Sequence, residues 1–307
     1  MNNVLSTKIS VFRNIKDFKF SHKLTGENKQ EIVKMLENVL KGKMSYLNIE
    51  SVDANTISQL YSQNLINQNS KEFFVSKRNE VINLFNGEHL EIVSSCCGYD
   101  KNIVKNVIEI NGLLSNKINF AFSDDYGYLM SDIKKIGAGI QIESAIMLSA
   151  ITKINKIEQV KQNISKLGYS LKETKYPAVY TLSTNCNLGI GENKIFEDFE
   201  STLTKLQNLE TESVKMLDAT EHDLMLDKTS RSLAILNSAY LLSYDELYNI
   251  IVNLRMGLNL GITEIKLETL NKLQALVLNK LNEIASQSEL KELAIKTKEI
   301  LKGEQYV

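Results

Sequence analysis

Apolar and polar residues recur along this chain with two periods, one of about 3.6 residues and one of two. Residues 4–14 alternate between apolar and polar, which predicts a short strand or an extended arm. The segments with apolar residues three and four positions apart predict amphipathic helices over 28–40, 102–114 and 156–167. Gly168 directly follows the third of these helices, in a position where glycine commonly ends a helix.

Two pairs of β-rich runs predict hairpins. The first pair, 81–85 and 89–94, flanks the Asn-Gly pair 86–87, which favours a two-residue type I′ turn. The second pair, 169–174 and 178–183, predicts another antiparallel hairpin. We therefore expect a substantial part of the sheet to be antiparallel.

Residues 120–151 combine a turn, a glycine-containing loop and an apolar run. Apolar residues recur at helical spacing from Ile140 to Ile151, which predicts a helix directly after the loop. Gly137 and Gly139, separated by one residue, would let backbone N–H groups approach an anion at the N-terminus of that helix. The same turn is equally typical of plain chain reversal, so the spacing alone leaves both interpretations open.

Helical spacing continues from Ile195 to the C-terminus and predicts a helical region. One apolar stripe in this region fits either its core or the seam of a dimer. The stripe consists of Leu270, Leu273, Val277, Leu281 and Ile284.

Composition narrows the class of protein. The 307 residues are 43% hydrophobic, enough to bury a large core in one sizeable domain and a smaller one. A net charge of -1 gives no general attraction to nucleic acid or to an anionic membrane, so neither is an expected partner. No apolar run approaches the roughly 18–20 residues that span a bilayer, and the N-terminus lacks signal-peptide features, so we expect a cytoplasmic protein. The cysteine spacing matches no zinc site, and we expect no metal.

Residues 127–143 carry the clearest motif of the chain. They resemble the signature Gly-Tyr-Leu-Thr-Ser-Cys-Pro-Thr-Asn-x-Gly-Thr-Gly-x-Arg-Ala-Ser of the guanidino (phosphagen) kinases, and most closely that of the bacterial protein arginine kinases. Asp132 stands at the position of the family's reactive cysteine, and Gln141 at the position of a phosphate-binding arginine. The residues that keep the frame are Gly127, Tyr128, Leu129, Ser131, Gly137 and Gly139.

The resemblance extends to the N-terminal strand and to the loop between the later strands. The family binds nucleotide phosphates with two arginines of its N-terminal motif, and this chain has Lys8 and Ser10 there. Arg13 and Asn14 of the same motif are retained. Lys172 stands for the arginine of a mobile loop whose Gly-Glu-Gly segment is missing from this chain.

The first predicted hairpin occupies the place of the family's Asn-Glu-Glu-Asp-His-x-Arg motif and is one residue shorter. Glu88 is the acid left to align and deprotonate a guanidinium, and Glu91 replaces an arginine. Together with Glu88, Asp132 would hold an arginine side chain, although aspartate is also common as a plain turn cap. His89 keeps its register, but a single histidine on a strand is equally well explained as a packed residue.

The resemblance covers residues 4–301 and implies an α+β fold. It implies a largely antiparallel sheet flanked by helices, followed by a C-terminal helical domain. We predict a guanidino-kinase-like domain over 1–220 and a helical, dimerising domain over 221–307.

The substitutions suggest that the family's chemistry, ATP:guanidino phosphotransfer, is lost. Phosphoryl transfer depends on cations that neutralise the phosphate oxygens. Of the positions equivalent to the family's nucleotide arginines, two hold lysine, one holds an acid and two are neutral. They are Lys8, Ser10, Glu91, Gln141 and Lys172.

The leading hypothesis is therefore a pseudokinase with a binding or regulatory role, in protein quality control or the stress response. It would need no cofactor and would form a homodimer, or a heterodimer with a related kinase, through its C-terminal helices. The alternative is an active protein arginine kinase using ATP and Mg²⁺ at a rebuilt site. That alternative needs other cations, such as Lys134 and Lys135, to contact phosphate.

Overall fold

The computed structural model describes residues 3–78, 80–185, 188–277 and 285–303, without the side chains of 218 and 220. Strands and helices are interspersed up to residue 184, and helices follow. The strands are β1 Val4–Arg13, β2 Met44–Asn48, β3 Glu72–Ser76, β4 Val81–Leu84, β5 Leu90–Cys97, β6 Phe122–Ser123, β7 Gly127–Tyr128, β8 Ile140–Met147, β9 Tyr169–Glu173 and β10 Val179–Thr184. The helices are α1 Gly26–Leu40, α2 Ala54–Ser62, α3 Asn102–Ser115, α4 Ser149–Lys153, α5 Ile157–Lys166, α6 Glu192–Ser238, α7 Tyr244–Leu260, α8 Leu267–Val277 and α9 Gln287–Lys302.

One antiparallel sheet forms the centre of the fold. In the part of the chain that the structure describes, its eight strands lie in the order β2-β3-β4-β5-β1-β8-β10-β9. The main core lies between this sheet and the apolar stripes of α1, α3, α5 and the first part of α6. The predicted α+β fold, with a largely antiparallel sheet flanked by helices and followed by helices, is confirmed.

The C-terminal helices form a second core against the same sheet. Leu5, Met147 and Val179 from the strands contact apolar residues of α7, α8 and α9 there. Leu270, Leu273 and Val277 are buried in this core, so that part of the apolar stripe is internal packing. Leu281 and Ile284 lie outside the described residues.

The boundary that we predict between 1–220 and 221–307 falls inside α6. Glu221 has non-helical backbone angles (φ -135°, ψ 28°), which kink the helix at that residue. α4 contacts α6 before this kink, through Glu210. The division into two domains stays a prediction.

The helix that we predict from Ile140 to Ile151 is wrong for most of its length. Residues 140–147 form β8, paired with β1 on one side and β10 on the other, and only Ser149–Lys153 is helical. The pattern of burial alternates along β8, with Ile140, Ile142 and Ile146 buried. Isoleucines two residues apart suit a central strand. Pairing with a strand on each side favours the two-residue period of a strand over the 3.6-residue period of a helix.

Of the two interpretations of Gly137 and Gly139, the anion site at a helix N-terminus is wrong for the same reason. Gly139 leads into a strand, and a strand start does not offer the aligned N–H groups of a helix N-terminus. The other interpretation, plain chain reversal, fits the structure. Both glycines have positive φ angles, 110° and 63°.

The first predicted hairpin is present, but its turn is longer than two residues. Leu84 pairs with Leu90, and the N–H of Phe85 donates to the carbonyl of His89 at 3.1 Å, which leaves residues 86–88 as the loop. Phe85 and Gly87 both have positive φ angles, 57° and 89°. Glu88, the last residue of this loop, is buried.

Candidate functional site

A polar cleft lies on one face of the sheet, over β8, β9 and β10. Its volume is about 380 Å³, and the loop between β7 and β8 forms one of its walls. Among the predicted site residues, Asp132, Gln141 and Lys172 line it together with Lys134 and Lys135. A second cavity of about 600 Å³, which shares Glu143 and Thr181 with the first, is lined by Lys8.

Glu91 on β5 brings two other predicted residues together next to the cleft. Its carboxylate accepts a hydrogen bond from Ser10 Oγ at 2.8 Å and lies 3.3 Å from Lys8 Nζ. Asn83 Nδ2 donates to its other oxygen at 3.3 Å. Glu91 is buried, and a buried carboxylate needs such partners because desolvation disfavours an isolated charge. The positive charge of Lys8 is therefore already matched inside the protein.

The first cleft carries mixed charge. Among its described lining residues, the cations Lys134, Lys135 and Lys172 face the carboxylates of Asp132, Glu143 and Glu173. Lys135 Nζ lies 3.7 Å from the centre of the Phe12 ring. The cleft therefore has no net positive charge to attract a polyanion.

Gln141 occupies the centre of β8, opposite Ser10 of β1. Its amide donates to Glu143 Oε1 at 3.0 Å, so it binds an acid of its own strand. Lys172 lies on the outermost strand, opposite Thr181, and is exposed. Of these two, only Lys172 offers a positive charge to the cleft.

Glu88 contacts Asp132 at the loop that precedes β8. The Glu88 carboxylate binds the backbone N–H of Asp132, and the Asp132 side chain binds elsewhere. The Glu88 carboxylate accepts hydrogen bonds from the N–H of Ser131 at 2.9 Å, the N–H of Asp132 at 3.1 Å and Asn14 Nδ2 at 2.6 Å. Asp132 is exposed, and its Oδ1 accepts from the N–H of Lys134 at 3.0 Å. Glu88 thus fixes the loop through its backbone N–H groups, and the side chain of Asp132 caps a short turn at the cleft. Their roles toward a substrate stay predictions.

Replacing Glu88 by glutamine should destabilise this loop. One acceptor oxygen becomes an NH₂ donor that faces backbone N–H groups, and such an unmade buried hydrogen bond costs about 1–3 kcal/mol. Urea unfolding should report that loss, and amide hydrogen exchange should accelerate at Ser131 and Asp132. Glu37→Gln on the exposed face of α1 is the control for losing one carboxylate. Unchanged exchange at both amides would show that the carboxylate does not hold the loop.

His89 is a packed residue in this structure. It is fully buried, its Nδ1 accepts from the N–H of Ile15 at 2.9 Å, and its Nε2 lies 2.8 Å from the carbonyl oxygen of Lys19. This pattern assigns the proton to Nε2, which donates to the carbonyl. Burial lowers the pKa of His89, although the Lys19 carbonyl and Glu88 act in the other direction. The neutral ring therefore anchors the segment after β1.

A family model describes more than half of this chain. Residues 27–213 match the ATP:guanido phosphotransferase C-terminal catalytic domain. The chain belongs to the ATP:guanido phosphotransferase family. Among curated proteins, it is 26% identical over 291 residues to the protein-arginine kinase of Clostridium acetobutylicum, an alignment that covers 88% of this chain and 86% of that one. It is 27% identical over 291 residues to the protein-arginine kinase of Clostridium kluyveri, covering 88% and 84%.

Solved structures of the family show the same fold. The substrate-free duplicated taurocyamine kinase of Schistosoma mansoni aligns with a TM-score of 0.62 and 16% identity, over 80% of this chain and 39% of that duplicated one. Lombricine kinase aligns with a TM-score of 0.59 and 17% identity, over 71% of this chain and 68% of that one. At these identities the likeness concerns the fold alone.

The retained motif residues of the family form a buried scaffold behind the cleft. Arg13 is fully buried; its guanidinium donates to the carbonyls of Phe12 at 2.7 Å and Ala138 at 2.9 Å and to Glu192 Oε1 at 2.9 Å. The same guanidinium lies 3.6 Å from the centre of the Tyr128 ring. Arg13 thus ties β1 to the loop before β8 and to the start of α6.

Asn14 connects two further predicted residues to this scaffold. Its Nδ2 donates to Glu88, and its Oδ1 accepts from the N–H of His89 at 2.9 Å. Sequence reasoning assigned no role to Arg13 or Asn14 beyond noting that they are retained. The available signal was that they end the predicted strand and are retained beside substituted positions. Arg13 and Asn14 are therefore buried and hydrogen-bonded to residues of several elements.

The structure describes no helix that is both long and apolar enough to cross a membrane.

Proposed function

We propose that this member of the family is a pseudokinase, which binds or regulates a partner and does not transfer phosphoryl groups. The observation that carries the proposal is the buried Glu91. It stands where the resemblance places a phosphate-binding arginine, and it is hydrogen-bonded to Ser10 and paired with Lys8. An acid thus replaces one cation and neutralises another.

The loss of cations is large enough to remove useful catalysis. Loss of one preorganised donor to a developing oxyanion costs about 2.7–4 kcal/mol in the transition state. A lysine also lacks the planar two-pronged donation of arginine to phosphate. Lys172 is the one equivalent position with a cation that is not paired with Glu91. The residues at these positions do not fit the triphosphate of ATP, and we assign no catalytic step to it.

A binding or regulatory role accounts for the fold that is kept. The sheet, both hydrophobic cores and the Arg13 scaffold are intact. The curated relatives are named protein-arginine kinases. We propose that this protein acts beside such a kinase, in protein quality control or the stress response. We propose that the C-terminal helices mediate a homodimer or a heterodimer with a related kinase, and that the protein works in the cytoplasm without a cofactor.

The purified chain should form no phosphoarginine from Mg-ATP and an arginine-rich protein, and calorimetry should record no heat of nucleotide binding. The protein-arginine kinase of Clostridium acetobutylicum, assayed in parallel, is the control for the substrate and the detection. Phosphoarginine above background would contradict the proposal. If the chain binds nucleotide but forms no phosphoarginine, the proposal would hold for the loss of catalysis and fail for the loss of nucleotide binding.

The second candidate is an active protein arginine kinase with a rebuilt site. It is favoured by the common location of Lys134, Lys135 and Lys172 in one cleft. If turnover is detected, Lys134→Glu combined with Lys135→Glu should abolish it, since both charges are reversed at the cleft wall. Turnover that survives this double substitution would exclude phosphate binding by the two loop lysines.

A further inference from the structure

An apolar patch with an acidic rim lies between the β6–β7 hairpin and the start of α6, where it encloses about 330 Å³. We call it the aromatic–acidic pocket. Phe122 and Tyr126 of the hairpin are 56% and 58% exposed, and Ile190, before α6, is 40% exposed. Rings and aliphatic side chains this exposed on neighbouring segments mark an interaction surface more often than isolated apolar residues do.

The charge of the pocket selects the chemistry of its occupant. Asp124 and Asp125 lie at the tip of the hairpin and are exposed, and Glu192 lines the opposite side. Among the described lining residues there is no lysine or arginine. Glu192 is paired with the buried Arg13, so the two aspartates supply the net negative charge. Exposed rings beside uncompensated carboxylates favour a cation with an apolar stem.

The same wall already holds one guanidinium from its inner side. Arg13 stacks on the ring of Tyr128 at 3.6 Å and pairs with Glu192 at 2.9 Å. The Phe122 ring meets the Tyr128 ring edge-on, with 5.2 Å between centroids. On the inner side of this wall, a ring and a carboxylate together bind the guanidinium of Arg13. Its outer surface carries the same combination, with Phe122, Tyr126 and the two aspartates.

α6 adds donors for a polypeptide backbone. The helix begins next to the pocket after Gly191, which has no side chain to cap the first turn. The N–H groups at a helix start have no partner within the helix and can donate to a carbonyl of an incoming chain. A polypeptide with basic side chains uses both features, whereas a free cation uses one.

We propose that the aromatic–acidic pocket docks a basic segment of a partner polypeptide, with a positively charged side chain between the rings and the aspartates. The pocket is separate from the polar cleft. The inference therefore stands whether or not the cleft binds nucleotide or transfers phosphate, and its failure would leave the proposed function untouched.

The test uses the full chain and fluorescent nine-residue peptides of one sequence that carry arginine, glutamine or glutamate at three positions. The arginine peptide should bind, its affinity should fall as salt is raised, and the other two peptides should bind far more weakly. Asp124→Asn combined with Asp125→Asn, and separately Phe122→Ala combined with Tyr126→Ala, should each weaken binding roughly 10-fold, the scale of a desolvated cation–aromatic contact.

Matched controls keep the result specific to the pocket. Glu31→Gln with Glu37→Gln on α1 changes the net charge equally, and Tyr240→Ala removes another exposed ring; both should leave the affinity within about twofold, as surface changes elsewhere do. Equal binding of the glutamate peptide would overturn the proposal. So would unchanged affinity in both pocket variants, each of which is first checked for native thermal unfolding.

Discussion

Replacing Gly139 by alanine should destabilise the protein by about 2–5 kcal/mol. A Cβ atom at this position would lie 2.6 Å from Met130 Cε, 2.8 Å from Arg13 Nη1 and 2.8 Å from the carbonyl oxygen of Phe12. The residue also has φ +63°, which side chains rarely adopt. The methyl group therefore meets both a poor backbone conformation and occupied space.

The neighbours of Gly139 have little freedom to move away. The Phe12 oxygen is backbone of the central strand β1, and the N–H of Phe12 donates to the carbonyl of Gly139 at 2.8 Å. The guanidinium of Arg13 is fixed by two carbonyls, Glu192 and the Tyr128 ring. Relief of the clash would require breaking this scaffold, which also orders the loop that carries Asp132.

Gly42→Ala separates the two contributions. Gly42 has φ +76° but nothing within 4 Å of the added methyl, so only the backbone term of about 1–2 kcal/mol applies. Urea unfolding of both variants gives the difference directly. Equal destabilisation of the two would show that the clash at Gly139 is relieved at no cost, and the family's glycine frame would then need another explanation.

The segment from Gly139 to Ile146 shows how much of this site the sequence alone predicts. The resemblance placed Gly139 and Gln141 in the family motif, and the fold that it implied is confirmed. The spacing of apolar residues did not distinguish strand from helix, because Ile140, Ile142 and Ile146 together with Ala145 fit both periods in a short window. Only pairing with β1 and β10, which are distant in sequence, decides for the strand.

Glu91 shows why the chemistry of the cleft was harder to predict than its location. The sequence identified an acid where the family has an arginine, but the partners of that acid depend on the register between β1 and β5. Phe12 lies opposite Glu91, and Ser10 therefore comes within 2.8 Å of the carboxylate. A one-residue shift would turn these side chains to the other face. Hydrogen bonds between residues 81 positions apart are set by tertiary structure, not by local pattern.

Raising the pH from 5 to 8 should cost the protein about 2–3 kcal/mol of stability through Glu210 alone. This residue of α6 is buried, and its carboxylate accepts from the N–H groups of Ala150 at 2.7 Å and Ile151 at 3.0 Å. Burial raises its pKa from 4.5 to about 7, against the effect of the hydrogen bonds from α4. The contact matters because it fixes the short α4 after β8 to the long α6.

The sign follows from proton binding. Between pH 4.5 and about 7, Glu210 keeps its proton in the folded protein and loses it in the unfolded chain. The folded state binds more protons over this range, so stability falls as the pH rises and the loss is complete above about 7. Glu210→Gln remains neutral at every pH and cannot show this dependence. The free energy of unfolding of the wild type should therefore decline relative to Glu210→Gln, and urea unfolding of both at pH 5 and pH 8 measures the change.

Glu212→Gln on the exposed side of the same helix controls for the loss of one carboxylate and should show no comparable trend. Other titrating groups are common to all three proteins and cancel in the comparison. Two forces compete at Glu210: burial favours the neutral acid, while the N–H groups at the start of α4 favour the carboxylate. A difference between wild type and Glu210→Gln that stays constant with pH would mean that the N–H groups win and that Glu210 is charged throughout. A decline of the expected size would mean that burial wins, and that the link between α4 and α6 weakens when the proton leaves near pH 7.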